Sequence, residues 1–281
     1  ALGVLTFARN RVYASNLTLW MDAVAKRPLN PRAYGNVGAV LTPLGRAAEA
    51  KPYLEEALRL DPGYPEAHYN YGVTLDHLGR RDEAMEHYRK AFELSPGYAK
   101  AYNNYANDLG QMGKWAEAEK YYRHAIWLNP DYSDAYCNLG AALDALGRTA
   151  EALDAYRTAL EINPDFAEAH CNLGNAYAKL GKSDLAIARY EQAVRLRPDF
   201  PEALNYLGVA LGRLGKHAEA LPYYERCLKA RPGYPEAHHN LGVALAHLGR
   251  SDQAIAQYQQ AVQIKPDYLE AQHNLGVEAF R

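Results

Sequence analysis

Small and apolar residues recur along this chain with a period of 34 residues. Eight blocks follow one another without a slip in register, and they begin at Pro31, Pro65, Ala99, Ser133, Ala167, Pro201, Pro235 and Leu269. In the first half of a block, positions 4, 7, 8 and 11 share one face of a helix at 3.6 residues per turn. The pattern predicts a helix in each block whose apolar face packs on a second helix.

Glycine and proline divide each block at fixed places. Position 15 is glycine in all seven complete blocks, as expected where a first helix ends in a left-handed residue. Position 32 is always proline, which lacks an amide donor and stops the second helix. Each complete block is therefore predicted to be a helical hairpin.

Glycine also recurs at position 8, in the interior of the first helix. The glycines concerned are Gly38, Gly72, Gly140, Gly174, Gly208, Gly242 and Gly276. Glycine costs about 1 kcal/mol against alanine in a helix interior. Its repeated use predicts that the helix backbones of a hairpin approach too closely there for a larger side chain.

One block carries the motif of a known family in full. Asn172-Leu173-Gly174, followed by Tyr177, Gly181, Ala186, Tyr190, Ala193 and Pro198, resembles the motif of the tetratricopeptide-repeat family. The resemblance implies an all-α fold, a right-handed solenoid of antiparallel helix pairs. It also implies that the first helices line an inner groove and the second helices lie outside.

The repeat register divides the chain into three parts. Residues 31–268 are expected to form seven repeats, and residues 269–281 a C-terminal partial repeat. Residues 1–30 are expected to be an N-terminal helical segment with a degenerate half-repeat that caps the array. In that half-repeat, Trp20 takes the aromatic position 24 and Pro28 the position 32.

Charge and cysteine content exclude several classes of protein. The chain has 31 basic and 33 acidic residues, so it lacks the cationic surface of a sequence-independent nucleic-acid binder. Cys137, Cys171 and Cys227 are odd in number and show no CxxC spacing, which argues against a disulfide framework or a zinc site. Cys227 is predicted to lie in the core, whereas Cys137 and Cys171, at position 5, are predicted to line the groove.

Catalytic and metal-binding constellations are not apparent. His68, His170 and His238 fall at position 4, where other blocks carry tyrosine, which favours packing over metal ligation. His239 and His273 fall at position 5 of successive blocks, but two imidazoles are an incomplete metal site. We therefore expect no catalytic residues, no metal and no cofactor, and the chain by itself is not predicted to be an enzyme.

The helix face opposite the packed one suggests a binding surface. Its positions are 2, 6, 9 and 13, and position 6 carries Asn36, Asn70, Asn104, Asn138, Asn172, Tyr206, Asn240 and Asn274. Position 9 adds an apolar line of Val73, Val209, Val243 and Val277. A primary amide both donates and accepts, so a row of them can pair with the backbone of an extended peptide. The alternative is that each amide bonds to a neighbouring helix or to water.

Two more resemblances bear on function. The block 167–200 is similar to the repeats of the O-GlcNAc transferase superhelix, which implies peptide holding by the asparagine row. Position 5 never carries the lysine of the carboxylate clamp found in chaperone-binding relatives, so chaperone tails are poor candidates. The segment Arg9-Asn10-Arg11-Val12-Tyr13, followed by Leu19-Trp20 and by Pro28 and Asn30, resembles the junction of transmembrane-and-tetratricopeptide proteins.

That junction implies that residues 1–8 end a membrane span and that the repeats lie on the lumenal or periplasmic side. The cationic residues around it favour the cytoplasm instead, by the positive-inside tendency. Our leading hypothesis is a protein-binding scaffold, the soluble arm of a larger membrane protein of glycosyltransferase type, which binds a protein or an extended peptide and no nucleic acid. The alternatives are an assembly scaffold that self-associates or bridges partners, and a transferase. The oligomeric state stays open.

Overall fold

A computed structural model describes residues 16–280, which form helices joined by short turns, with no strand among these residues. The first helix, α1, covers residues 16–26. The others are α2 (Pro31–Leu41), α3 (Ala47–Leu60), α4 (Pro65–His77), α5 (Arg81–Leu94), α6 (Ala99–Gln111), α7 (Trp115–Leu128), α8 (Ser133–Ala145), α9 (Thr149–Ile162), α10 (Ala167–Lys179), α11 (Ser183–Leu196), α12 (Pro201–Arg213), α13 (His217–Ala230), α14 (Pro235–His247), α15 (Ser251–Ile264) and α16 (Leu269–Ala279). The chain divides into two compact units between residues 138 and 139.

The first unit contains the hairpins α2/α3, α4/α5 and α6/α7, each a first helix packed on a second. Its core includes the buried side chains of Val37, Leu54 and Tyr88. Leu17 and Trp20 of α1 pack against this core, where the second helix of an opening half-repeat would place them. The expected end of a membrane span at residues 1–8 lies outside the described residues.

The second unit contains the hairpins α10/α11, α12/α13 and α14/α15, and α16 packs on α15. Leu173, Leu204 and Leu207 are almost wholly buried in its core. Within the part of the chain that the structure describes, no helix has the length and apolar character needed to cross a bilayer.

The turn inside each hairpin follows the predicted glycine rule. The glycines at position 15 all have φ between 70° and 77°, in the left-handed region. After α10, the N–H of Lys182 donates to the carbonyl of Tyr177 at 3.0 Å, which wraps the chain around the end of the helix. The predicted left-handed helix ends are thus confirmed.

The glycines at position 8 have no room for a side chain in the hairpins, with Gly276 of α16 as the exception, but the reason differs from the prediction. A Cβ added to Gly174 would lie 2.6 Å from Cε1 of Tyr190, on the second helix of the same hairpin. The tyrosine at position 24 makes the same contact in four other hairpins, and Leu54 makes it against Gly38. The predicted approach of two backbones was therefore wrong, because a side chain fills the space between them.

In four repeats the side chain at position 4 bonds to the end of the preceding second helix. Nε2 of His170 lies 2.9 Å from the carbonyl oxygen of Pro164, the proline at the end of the preceding second helix. His68, His238 and Gln272 make the equivalent bond with their own preceding proline. A carbonyl only accepts, so Nε2 carries the proton and is not available to a metal. These bonds agree with the interpretation of the histidines as packing residues.

Candidate functional site

The side chains at positions 2, 6, 9 and 13 of the first helices are named here the first-helix face. All position-6 residues of the predicted row, Asn36, Asn70, Asn104, Asn138, Asn172, Tyr206, Asn240 and Asn274, are half-buried. Val73, Val209 and Val243 are half-buried as well, and Val277 is 44% exposed. Every predicted site residue therefore lies on a partly accessible side of its helix.

The asparagine amides connect successive first helices. Nδ2 of Asn138 donates to Oδ1 of Asn103 at 3.1 Å, and Nδ2 of Asn240 donates to Oδ1 of Asn205 at 3.0 Å. Asn274 donates in the same way to Nε2 of His239 at 3.0 Å. In each case position 6 bonds to position 5 of the preceding repeat. One N–H of the amide serves this bond, which leaves the other N–H and a carbonyl lone pair for a ligand.

At Cys137 and Cys171, position 5 is consequently part of an interface between helices and not a groove surface. Cys137 is 3% exposed and Cys171 is 2% exposed, so the prediction that they line the groove was wrong. Cys227 is buried as predicted, and its Sγ lies 3.2 Å from the carbonyl oxygen of Pro201. A helical wheel shows which side of a helix its hairpin partner occupies, but the next repeat covers part of the remaining surface.

This burial predicts that none of the three thiols reacts readily in the folded protein. We expect labelling by a disulfide reagent at pH 8 to be slow until denaturant is added. Cys227 should react most slowly, because burial raises the pKa of its thiol to about 12 and leaves little thiolate. The measurement is the labelling rate of each cysteine by mass spectrometry, and rapid native labelling of Cys137 or Cys171 would contradict the burial of position 5.

In the first unit, a cleft opens between α4, α5 and α6, with a volume of 270 Å³. It is lined by Val73, Asp76, His77, Gly79, Arg81, Tyr88, Asn104, Asn107, Asp108 and Gln111. Two predicted site residues, Val73 and Asn104, therefore share one cleft. We name it the Asp76–Asp108 cleft after its two carboxylates.

These two carboxylates are not surface charges. The hydroxyl of Tyr88 donates to Oδ2 of Asp76 at 2.5 Å, and burial raises the pKa of Asp76. Asp108 is only 3% exposed, and burial together with the nearby charge of Asp76 raises its pKa to about 7. Sequence reasoning missed both residues. The available signal was Asp108 at position 10, where four of the following five blocks carry alanine.

The second unit has two clefts on its first-helix face. The larger, of 600 Å³, is lined by Asp144, Asn175, Ala178, Lys179, Tyr190, Tyr206, Val209, Ala210 and Arg213. The smaller, of 270 Å³, is lined by Val243, Ala246, His247, Tyr258, Asn274, Val277 and Glu278. The structure thus brings Tyr206 together with Val209, and Asn274 together with Val243 and Val277. Asn36, Asn70, Asn138, Asn172 and Asn240 line none of these three clefts.

The walls of the larger cleft carry both charged and hydrogen-bonding groups. Nζ of Lys179 lies 2.6 Å from Oδ2 of Asp144, and the hydroxyl of Tyr190 donates to Oδ1 of Asn175 at 2.7 Å. Among the described residues, no group of three or more histidine, cysteine, aspartate or glutamate side chains is arranged to hold a metal ion. These walls can contact apolar, aromatic and polar side chains of a ligand.

Comparison with protein families matches repeat models over most of the chain. A model described as the tetratricopeptide repeat matches residues 44–99, 171–235 and 210–268. A second, described as the TPR repeat, matches residues 106–147 and 144–181. Together with the observed hairpins, these matches confirm the predicted all-α solenoid of antiparallel helix pairs.

Among curated proteins, a stretch of 62 residues is 40% identical to protein O-mannosyl-transferase Tmtc2 of Drosophila melanogaster. It covers 22% of this chain and 6% of that protein, so the chain is related to a small part of Tmtc2.

Many solved structures have a similar fold, and two of them are compared with this chain. The crystal structure of the APC/C hetero-tetramer Cut9-Hcn1 matches with a TM-score of 0.81 and 17% identity, over 95% of this chain and 52% of that one. Its low identity limits the likeness to the fold. The crystal structure of YrrB, described as a TPR protein with an unusual peptide-binding site, matches with a TM-score of 0.53 and 28% identity. That match covers 67% of this chain and 97% of YrrB.

Proposed function

Since this chain belongs to the tetratricopeptide-repeat family, we propose that it holds an extended segment of a partner protein along the first-helix face. The tetratricopeptide repeat is in general a non-catalytic scaffold for protein–protein interaction. The main support for the proposal is that residues predicted to bind the peptide lie together in single clefts. Tyr206 lies with Val209, and Asn274 lies with Val243 and Val277.

The chemistry of these clefts suits a peptide. Without a ligand, the apolar side chains of these clefts are partly exposed to water, so covering them with a ligand is favourable. The amides retain hydrogen-bonding capacity beyond the bonds between helices, and each new bond contributes about 0.5–1.5 kcal/mol net. Ordering a flexible peptide costs a comparable amount, so several contacts must act together. We expect affinities on the order of micromolar, with a preference for apolar side chains at Tyr206, Val243 and Val277.

Two relatives support parts of this proposal. YrrB is a repeat protein with a peptide-binding site, and its matched region is 28% identical to this chain. The likeness to Tmtc2 supports a place as the soluble arm of a larger membrane protein of glycosyltransferase type. On that proposal the repeats lie on the lumenal or periplasmic side.

The test is a panel of unstructured peptides titrated against the wild type and two double variants. Asn138→Ala with Asn240→Ala removes two amides of the row. Tyr206→Ala with Val209→Ala removes two side chains that line the larger cleft and leaves the bonds of Asn138 to Asn103 and of Asn240 to Asn205 in place. Losing two amide contacts should weaken binding roughly 5-fold or more.

The matched control is Gln259→Ala with Gln260→Ala, which removes two primary amides from the exposed side of a second helix. Circular dichroism must show that each variant stays folded. Equal affinity of all folded proteins would mean that the amides only join helices. Self-association in sedimentation experiments without peptide binding would support an assembly scaffold instead.

A further inference from the structure

The Asp76–Asp108 cleft contains a buried oxygen atom without a hydrogen bond. Oδ2 of Asp108 is enclosed, and none of the described residues provides it with a hydrogen-bond partner. The whole residue is 3% exposed. Buried polar atoms in proteins are nearly always hydrogen-bonded, and an exception calls for an explanation such as a missing ligand.

The surrounding groups offset the charge of the two carboxylates only in part, through an ion pair between Arg81 and Asp108. Nε of Arg81 lies 3.6 Å from Oδ1 of Asp108, which is beyond hydrogen-bond distance. The same guanidinium donates through Nη2 to Gln111 and is 43% exposed at the edge of the cleft. Among the described residues, Asp76 accepts a hydrogen bond from the neutral hydroxyl of Tyr88. One arginine therefore faces two carboxylates, beside the imidazole of His77 and otherwise neutral side chains.

We propose that the Asp76–Asp108 cleft receives the cationic side chain, lysine or arginine, of the partner segment held on the first-helix face. This inference rests on the proposed function and adds a preference for a basic residue in the partner segment. The ammonium or guanidinium group would lie between the two carboxylates and offset their charge, so direct contact with the enclosed Oδ2 is not required. Charge-assisted hydrogen bonds to the accessible oxygens would fix its position.

The walls of the cleft favour a side chain over a bare ion. Val73 provides an apolar wall for the aliphatic stem that lysine and arginine share. Asn104, a member of the predicted row, lines the same cleft, so an amide contact to the peptide backbone would place the adjacent side chain beside the carboxylates. The described residues offer no set of three metal-ligating side chains at this place.

The first test compares two peptides that differ at one residue, lysine or its neutral isostere norleucine. Binding is measured at 50 mM salt for the wild type, Asp108→Asn, Asp76→Asn and the control Glu86→Gln. Glu86 is exposed on α5 and outside the cleft, so the control changes the net charge equally. We expect about a 10-fold preference for lysine in the wild type and the control, as charge-assisted bonds suggest, and about 2-fold or less in the aspartate variants.

The second test does not depend on peptide binding. The probes are n-butylammonium and n-butylguanidinium, with n-butanol as the neutral control, and the readout is the carboxyl ¹³C resonance of Asp76 and Asp108. Saturable shifts with the cations alone are expected, and they should weaken as salt is added.

The two arms separate the possible failures. Equal binding of the lysine and norleucine peptides, without shifts by the cations, would overturn the cation site and leave the proposed function standing. Shifts by the cations, without binding of either peptide, would support the cation site and count against the proposed function. A lysine preference that persists unchanged in both folded aspartate variants would place the cation elsewhere and overturn the inference.

Discussion

Replacing Leu54 with alanine is expected to destabilise the first unit by about 2–5 kcal/mol, the cost of leaving a cavity in a packed core. Leu54 is fully buried, and it takes the place on a second helix where the other hairpins carry tyrosine. It packs with Val37, Leu41 and Leu75. The measurement is urea denaturation followed by circular dichroism and by tryptophan fluorescence, to which Trp20 beside this core contributes.

Gly38 supplies the control for this prediction. A Cβ added there would overlap the end of the Leu54 side chain. Gly38→Ala should therefore destabilise the wild type, whereas in the Leu54→Ala background the methyl group enters the cavity and gains about 1 kcal/mol of helix propensity. The change in unfolding free energy caused by Gly38→Ala is therefore expected to have opposite signs in the two backgrounds. Additive effects of the two substitutions would show that the side chains do not meet as described.

Gly174→Ala is expected to destabilise the second unit by about 1–3 kcal/mol, the range for an overpacked core. The added methyl group would lie 2.6 Å from Cε1 and 2.7 Å from Cδ1 of Tyr190. That ring is itself 3% exposed and held by its bond to Asn175, so it has little room to withdraw. Because each repeat of an array packs on its neighbours, overpacking in one repeat also destabilises the adjacent repeats. The thermal midpoint should fall, and hydrogen exchange should speed up in α10 to α13.

Gly276→Ala is the matched control, because Gly276 has the same repeat position in α16. No atom lies within 4 Å of the Cβ that would be added there. This substitution should leave the thermal midpoint unchanged or raise it, by at most about 1 kcal/mol of propensity. If both substitutions shift the midpoint in the same direction by the same amount, then the tyrosine contact does not explain the glycine at position 8.

The sequence by itself determined the hairpins and their turns, because those depend on properties of single residues. Gly181 accepts a left-handed φ at no steric cost, and Pro198 cannot donate an amide to continue a helix. The period of the apolar positions then assigned each helix its packed side. The same reasoning placed the asparagine row and the valines on a partly accessible side, where the structure has them.

Tertiary structure decided everything that depends on contact between repeats. Cys171 lies outside the packed side that the helical wheel predicts, yet it is buried because another repeat covers position 5. Asp76 and Asp108 belong to different repeats, and only the stacking of α4 and α6 brings their charges into one cleft. Helical periodicity predicts only how one helix packs on its hairpin partner. The burial of these side chains, and the effect of one carboxylate charge on the other, depend on groups that are far apart in the sequence.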